Sequence, residues 1–215
     1  MKIKWLGHSC FLIESDSGMR IITDPYNQMQ GIKYAPIKEI ADVVTTSHDH
    51  FDHNAISAVA GKPVVVRQSG NSSVKGISFN GITSHHDEEG GKQRGSNIIL
   101  CFTLDKVKIC HLGDLGHPLN KSQLSEIGEV DILFIPIGGF YTIDARVASQ
   151  ICNELQPKIT IPMHYKTAKL DFPIAGVDDF LMGKNNFRKL NSNEMEIKFE
   201  TLPPDPQIII FAVSS

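Results

Sequence analysis

The sequence predicts a mixed α+β fold in which two packed sheets are flanked by helices. Eleven segments have the alternation or the apolar runs of β-strands, whereas only three have helical periodicity. No internal repeat or low-complexity linker separates them, and 215 residues with 41% hydrophobic content suit a single domain of residues 1–215. Such a chain buries its apolar faces by stacking its sheets and covering them with helices.

The individual elements follow from these two periodicities. Strands are expected at residues 3–6, 10–13, 19–23, 43–46, 64–66, 74–79, 97–103, 107–111, 132–137, 159–162 and 208–213. Helices are expected at residues 121–127, 144–156 and 177–185. The second helix has the clearest pattern, because Val147 and Ile151 recur at helical spacing and Asp144 can cap its start.

Charge and composition argue against several classes of protein. The net charge is −3 and the basic residues are spread along the chain, so neither nucleic acid nor a membrane surface is expected as a partner. The N-terminus lacks the apolar core of a signal peptide and no apolar run is long enough to span a bilayer, which predicts a cytoplasmic location. The cysteines have no Cys-x-x-Cys spacing and are expected to be reduced and buried: Cys10, Cys101, Cys110 and Cys152.

Residues 48–53 read His-Asp-His-Phe-Asp-His, and four of these six side chains, in the pattern His-x-His-x-Asp-His, can bind a metal ion at spacings that allow one compact site. They follow a β-branched, apolar segment at residues 41–47 and precede residues 54–60, which could begin a helix. Loops at strand ends are where layered α/β proteins collect their ligand sites. The motif therefore predicts a metal site, in preference to a solvated loop rich in histidine and aspartate.

This motif resembles the signature of the metallo-β-lactamase-fold hydrolases, whose further ligands are a His, an Asp and a final His from three later strand ends. Here residues 84–87 (Ser-His-His-Asp), 112–115 (Leu-Gly-Asp-Leu) and 162–165 (Pro-Met-His-Tyr) occur in that order. More narrowly, the chain resembles the small branch with ascorbate-6-phosphate-lactonase-like proteins, at residues 5–11, 24–25, 90–95, 111–114 and 136–139. The resemblance runs from about residue 3 to residue 166, and it implies a four-layer αββα sandwich.

The resemblance also implies two divalent metal ions, Zn²⁺ first and Mn²⁺ or Fe as alternatives. One ion would take His48, His50 and a third imidazole, and the other Asp52, His53 and His164, with Asp114 bridging both. Two such cations can lower the pKa of a shared water molecule to near 7, so that it becomes a hydroxide. Hydrolysis of an ester, lactone or phosphoester in a small polar substrate is the expected reaction. Asp52 is expected to act as a ligand and also to orient or deprotonate the water, although a ligand role alone remains open.

The third imidazole belongs to either His85 or His86, because neighbouring side chains on a strand point to opposite faces. In the resembled branch the ligand stands after a bulky residue and directly before an acidic one. His86 before Asp87 fits that frame, so His86 is the expected ligand.

Further residues are expected around the metals. The resemblance implies that Asp24 holds a ligand imidazole from behind, although Asp-Pro also simply starts turns. Residues that could contact substrate are His8, His117, Tyr141 and Tyr165, with a structural role open for both histidines. Residues 90–95 are expected to form a flexible hairpin or lid beside the site. Lys92 and Arg94 on it are expected to be solvated charges, and contact with an anionic substrate is the alternative.

Three other functions are compatible with the same ligands. An RNA-processing or phosphodiester nuclease would need a basic surface or arm, and none is apparent. An iron-dependent redox enzyme could use this ligand set, because metal selection depends on geometry and availability as well as on ligand type. A metal-stabilised sensor would bind metal without turnover. The complete set of expected ligands favours the hydrolase, while the substrate, the native metal and the oligomeric state stay open.

Overall fold

Two mixed β-sheets form the framework of the protein, of which this computed structural model describes residues 1–29 and 31–213. In chain order the strands are β1 (Lys2–Gly7), β2 (Cys10–Glu14), β3 (Arg20–Thr23), β4 (Val43–Thr45), β5 (Val64–Val66), β6 (Gly70–Val74), β7 (Ile77–His85), β8 (Ser96–Leu104), β9 (Val107–His111), β10 (Ile132–Pro136), β11 (Ile159–Met163), β12 (Phe187–Lys189), β13 (Glu194–Glu196) and β14 (Gln207–Ile210). The α-helices are α1 (Lys121–Ile127), α2 (Ala145–Leu155) and α3 (Val177–Leu181).

Each sheet has an antiparallel and a parallel part. The first sheet has the order β13-β1-β2-β3-β4-β5 and is parallel only from β3 to β5. The second has the order β12-β14-β11-β10-β9-β8-β7-β6 and is parallel from β12 to β9. All five residues of β10 and of β11 are buried, as expected for parallel strands that are covered on both faces.

The two sheets pack face to face through large apolar side chains. Phe11 of β2 lies with its ring centroid 4.4 Å from that of Phe134 of β10, and both side chains are fully buried. Interdigitated aromatic rings of this kind contribute strongly to a core because each removes a large apolar area from water. This contact holds the loops at the ends of the two sheets at a fixed distance from each other.

Helix α2 confirms its sequence pattern. The Asp144 carboxylate accepts the backbone N–H of Val147 at 2.8 Å, and Val147, Ala148 and Ile151 form the buried face. It has eleven residues, and no helix in the described part of the chain is long and apolar enough to cross a membrane.

Several element predictions were wrong. The strand expected at residues 74–79 is a hairpin, since Lys75 and Gly76 have φ of 51° and 82° and form a tight turn between β6 and β7. Residues 54–60 contain only a 3₁₀ turn at Ile56–Ala58 in place of a helix. Helix α3 ends at Leu181 because Gly183 follows with φ of 73°. The short, polar edge strands β12 and β13 were not predicted at all.

The cysteines also differ from expectation in part. All four are free thiols, as predicted, but only Cys10 and Cys110 are buried, whereas Cys101 and Cys152 are partly exposed.

One edge of the structure collects the polar residues of interest. The carboxyl ends of six strands each deliver one residue or motif there, directly or within three residues: β1, β3, β4, β7, β9 and β11 deliver His8, Asp24, residues 48–53, His86, Asp114 and His164. The carboxyl ends of parallel strands are where α/β proteins place their ligand sites.

Candidate metal centre

The carboxylate of Asp114 lies at the centre of the cluster and is 2% exposed. Its Oδ2 atom is surrounded by four imidazole Nε2 atoms, at 3.1 Å from His164, 3.2 Å from His53, 3.2 Å from His86 and 3.9 Å from His48. Asn97 fixes this residue from behind, since its side-chain oxygen accepts the Asp114 backbone N–H at 2.9 Å.

Potential metal ligands in the described residues form three overlapping groups, of which one is Asp24, His48 and His53 and the other two contain the expected ligands. In one group the imidazoles of His48, His50 and His86 all lie within 4.8 Å of one another. In the other, the same limit holds for His8, Asp52, His53 and His164. These groups correspond to the two expected ligand sets, with His8 added to the second.

The structure places His86, and not His85, in the cluster. His86 is 2% exposed, whereas the His85 ring lies on the opposite side of the chain with its centroid 5.7 Å from that of His117. The His85 backbone N–H donates to Nε2 of His117 at 3.2 Å. The alternation of side chains along an extended strand is the physical reason for this separation.

Asp24 holds two of the histidines in a fixed orientation. Its carboxylate accepts Nδ1–H of His53 at 2.9 Å, the Ser47 hydroxyl at 2.6 Å and the Ser47 backbone N–H at 2.7 Å. Because the single Ser47 hydroxyl proton goes to Asp24, Ser47 Oγ accepts Nδ1–H of His48 at 2.9 Å. In both histidines Nε2 therefore points into the cluster, as a metal ligand requires.

Burial and charge set the protonation of these groups. Burial lowers the pKa of His48 to about 3 and that of His8 to about 4, so both imidazoles are neutral at pH 7. Burial alone would raise the pKa of Asp114, but the nearby His164 and His53 hold it well below its usual range. His53 behaves differently: although burial lowers its pKa, the carboxylates of Asp114 and Asp52 raise it well above the ordinary value.

Six buried side-chain atoms of the clustered residues have no hydrogen-bond partner: His8 Nδ1, His48 Nε2, His53 Nε2, His86 Nδ1, Asp114 Oδ1 and His164 Nδ1. His53 Nε2 is close to Asp114 Oδ2 but lacks the geometry of a hydrogen bond. Buried polar atoms are almost always paired, and a cation is one of the partners that accounts for exceptions. Imidazoles with carboxylates are the donor set that zinc and similar ions bind, so these residues fit a divalent metal site.

The backbone at the site is strained. Asp24, His164 and His8 have φ of 38°, 49° and 54°, in a region that non-glycine residues seldom adopt. Such conformations cluster at functional sites because the surrounding structure must impose them.

A glycine next to the site permits very close packing. A Cβ atom added to Gly116 would lie 2.2 Å from the backbone carbon of His86. Gly116 thus fixes the distance between the β9 loop, which carries Asp114, and the end of β7, which carries His86.

The open side of the cluster is a cavity of about 280 Å³, which we call the catalytic cavity. Its walls are His50, Phe51, Asp52, His86, Arg94, Asp114, Tyr141, His164 and Phe172. Carboxylates and imidazoles form the floor, while aromatic rings form much of the rim.

Of the four expected substrate contacts, Tyr141 lines this cavity and the other three do not. Tyr165 is 5% exposed and stacks on Trp5 in the core with 5.7 Å between ring centroids. His117 lies outside the cavity, where its Nδ1–H donates to the Pro118 carbonyl oxygen at 2.8 Å. His8 is 1% exposed and contacts Asp52 instead, with 3.3 Å from its Nε2 to Asp52 Oδ2.

Sequence reasoning gave no role to Ser47, Asn97 or Phe172, which all lie at the site. Ser47 directly precedes His48, which is a usable signal for its role behind that imidazole. Asn97 and Phe172 carry no such signal, because their positions depend on strand register and on a loop far along the chain. Arg94, for which solvation was expected and contact with an anionic substrate was the alternative, is half-buried and lines the catalytic cavity. Lys92 is exposed as expected.

Comparison with known proteins gives a consistent assignment. The sequence model of the beta-lactamase superfamily domain matches residues 2–164. A UPF0173 protein from Pyrococcus furiosus is 30% identical over 78% of this chain and 84% of its own length. A UPF0173 metal-dependent hydrolase from Archaeoglobus fulgidus is 27% identical over 95% of this chain and 96% of its own. The crystal structure of a candidate zinc-dependent hydrolase of the metallo-β-lactamase superfamily from Thermotoga maritima has a TM-score of 0.83 and 38% identity, covering 99% of both chains.

Proposed function

We propose a reaction for this chain, which belongs to the metallo-β-lactamase superfamily and is a metal-dependent hydrolase. In this reaction the protein uses two divalent cations to cleave an ester, lactone or phosphoester bond. The substrate in this proposal is a small polar molecule, and Zn²⁺ is the first candidate for the metal.

The central position of Asp114 carries the proposal. One carboxylate oxygen lies 3.1 to 3.9 Å from four imidazoles that belong to two different ligand groups. A carboxylate in that position can bind a cation on each side. When bound, two divalent cations lower the pKa of a water molecule and polarise the oxygen of the bond to be cleaved.

The protein's own residues orient the reaction. Asp52 faces the catalytic cavity, and His53 and His8 lower its pKa against the effect of burial, so its carboxylate is ionised at pH 7. It can therefore accept a proton from an attacking water molecule. The Nε2–H of His8 at 3.3 Å from Asp52 Oδ2 keeps that carboxylate turned toward the cavity.

The size of the cavity supports a small substrate. About 280 Å³ lies near the lower end of the range for small-molecule pockets, which is roughly 300–1,000 Å³. The net charge of −3 also disfavours RNA, because phosphate contacts from basic side chains supply most of the affinity for nucleic acids.

The test is a hydrolysis screen over lactones, thioesters, carboxyl esters and phosphodiesters, with metal content measured on the same sample. The wild-type protein should hydrolyse one class, lose that activity after chelation and regain it with Zn²⁺ or Mn²⁺. Asp114→Ala should stay folded, carry less metal and lose turnover, while His85→Ala serves as the matched control outside the cluster. Full metal load and full turnover in Asp114→Ala would refute the proposal.

An iron-containing redox enzyme is distinguished in the same experiment. Iron in the purified protein, with a visible absorption band and no hydrolysis of any class, would support redox chemistry instead.

A further inference from the structure

Arg94 is a cation of the catalytic cavity that the hydrolytic chemistry does not use. It is half-buried, and its guanidinium carbon lies 5.7 Å from the centroid of the Tyr141 ring. It also lines a second cavity of about 300 Å³ together with Arg67, on the other side of His50. The guanidinium of Arg94 and the imidazole of His50, a candidate metal ligand, therefore both line the catalytic cavity and this second cavity.

No carboxylate of residues 1–29 or 31–213 forms a salt bridge with Arg94, whereas Arg67 lies 3.8 Å from Asp49. Two of the three acidic residues of its own loop are engaged elsewhere. Glu89 accepts the side-chain amide of Gln93 at 2.7 Å, and Asp87 accepts only backbone N–H groups. An arginine that lines a cavity without a carboxylate partner has five N–H donors available to a ligand.

The loop that carries Arg94, expected to be a flexible hairpin or lid, has four backbone N–H groups bound by one carboxylate. The Asp87 carboxylate accepts the backbone N–H groups of Glu89, Gly91, Gln93 and Arg94 at 2.8 to 3.0 Å. Because Asp87 directly follows His86, the same short segment positions a candidate metal ligand and the guanidinium. A preorganised guanidinium loses little freedom on binding, which favours affinity and selectivity.

The cavity wall near Arg94 is apolar. Phe51, Tyr141 and Phe172 line it, and the rings of Tyr141 and Phe172 lie 5.9 Å apart between centroids. A ligand that satisfies both features has an anionic group for the guanidinium and an acyl or aryl portion for the aromatic wall.

We propose that Arg94 is a specificity-determining residue that binds an anionic group of the substrate, a carboxylate or a phosphate placed away from the bond that is cleaved. This inference rests on the proposed hydrolase and narrows its substrates to small anionic esters or lactones. Guanidinium groups bind carboxylate and phosphate through two parallel N–H donors, which fixes orientation as well as charge.

The kinetic test compares two esters with the same leaving group, 4-nitrophenyl acetate and the anionic 4-nitrophenyl succinate monoester, on the metal-loaded protein. Arg94→Gln should lower the ratio of kcat/KM for the anionic ester to that for the neutral ester by about tenfold or more, mainly through KM. Lys92→Gln, on the same loop but exposed, should keep the wild-type ratio. An unchanged ratio in Arg94→Gln, or an equal loss in Lys92→Gln, would overturn the inference.

A binding experiment tests the role of Arg94 independently of hydrolysis. Titration calorimetry would measure 3-phenylpropionate and its neutral amide on the wild type and on Arg94→Gln. Wild type should prefer the carboxylate, and Arg94→Gln should lose about tenfold or more of that preference, even if neither ester is hydrolysed. The same preference in both proteins would mean that the anion binds elsewhere, and it would refute the role of Arg94.

Discussion

Replacement of Asp24 by asparagine should weaken both candidate metal sites without removing a single ligand. Asp24 is 1% exposed and accepts three hydrogen bonds, from Nδ1–H of His53 and from the hydroxyl and backbone N–H of Ser47. Asparagine has the same shape but carries an NH₂ group in place of one oxygen, so it has one accepting atom instead of two.

Neither orientation of the new amide satisfies its neighbours. If the NH₂ group replaces Oδ2, it faces Nδ1–H of His53, and the Ser47 hydroxyl must turn toward Nδ1 of His48. His48 would then carry its proton on Nε2, which removes the lone pair needed for a metal. If the NH₂ group replaces Oδ1, it faces the Ser47 backbone N–H instead.

The expected magnitude follows from these contacts. One buried donor left without a partner costs about 1–3 kcal/mol of folding free energy in the metal-free protein. Loss of a group that orients metal-bound histidines weakens metal binding by roughly 10–100-fold. That change corresponds to about 1.4–2.7 kcal/mol of binding free energy.

The assay is a competition titration with a chromophoric chelator for metal affinity, combined with urea unfolding in EDTA for stability. Asp42→Asn is the matched control, since Asp42 immediately precedes β4 at the end opposite the site and contacts Arg20 and Lys75. Ser47→Ala should weaken metal binding mainly at the ligand group that contains His48, because it leaves the hydrogen bond between Asp24 and His53 intact. Two metal affinities within twofold of wild type in Asp24→Asn would refute this reasoning.

Other substitutions give sharp contrasts between neighbours or between similar residues. His86→Ala should lose metal and turnover together, whereas His85→Ala should keep its metal and change at most KM or stability slightly. Metal analysis and steady-state kinetics check this prediction. The reverse result would mean that His85 is the ligand. Gly116→Ala should lower metal affinity because its Cβ would displace the His86 backbone, while Gly176→Ala has open space and should bind metal normally; equal affinities would contradict the close packing. Structured RNA should bind no more tightly than a neutral polymer at physiological salt, and tight binding with a steep salt dependence in a filter assay would contradict the small-substrate proposal.

The sequence carried more information about the ligands than about the cavity around them. Residues 48–53 lie in one short loop, so their proximity is set by local geometry, and the later ligands lie at the ends of strands that apolar patterns predict. The capping of α2 by Asp144 was likewise predictable, because a cap and its helix are adjacent in sequence.

The remaining features depend on contacts between distant segments. Phe172 reaches the cavity from a loop more than a hundred residues after His50, and no periodicity marks it. Arg94 lies in a glycine-rich segment typical of solvated turns, and its backbone is held by a hydrogen bond to Asp87 that no sequence pattern marks. The edge strands β12 and β13 are mostly exposed, so the burial pattern that reveals strands is absent from them.

The most direct test of the central claim is the number of metal ions that one chain binds. The protein would be stripped with a chelator, titrated with Zn²⁺, desalted and analysed by inductively coupled plasma mass spectrometry. Two ligand groups, one of His48, His50 and His86 and one containing Asp52, His53 and His164, each have imidazoles close to the Asp114 carboxylate. This arrangement predicts two ions per chain in the wild type and fewer in Asp114→Ala. One ion or none per chain in the folded wild type would contradict a dinuclear site.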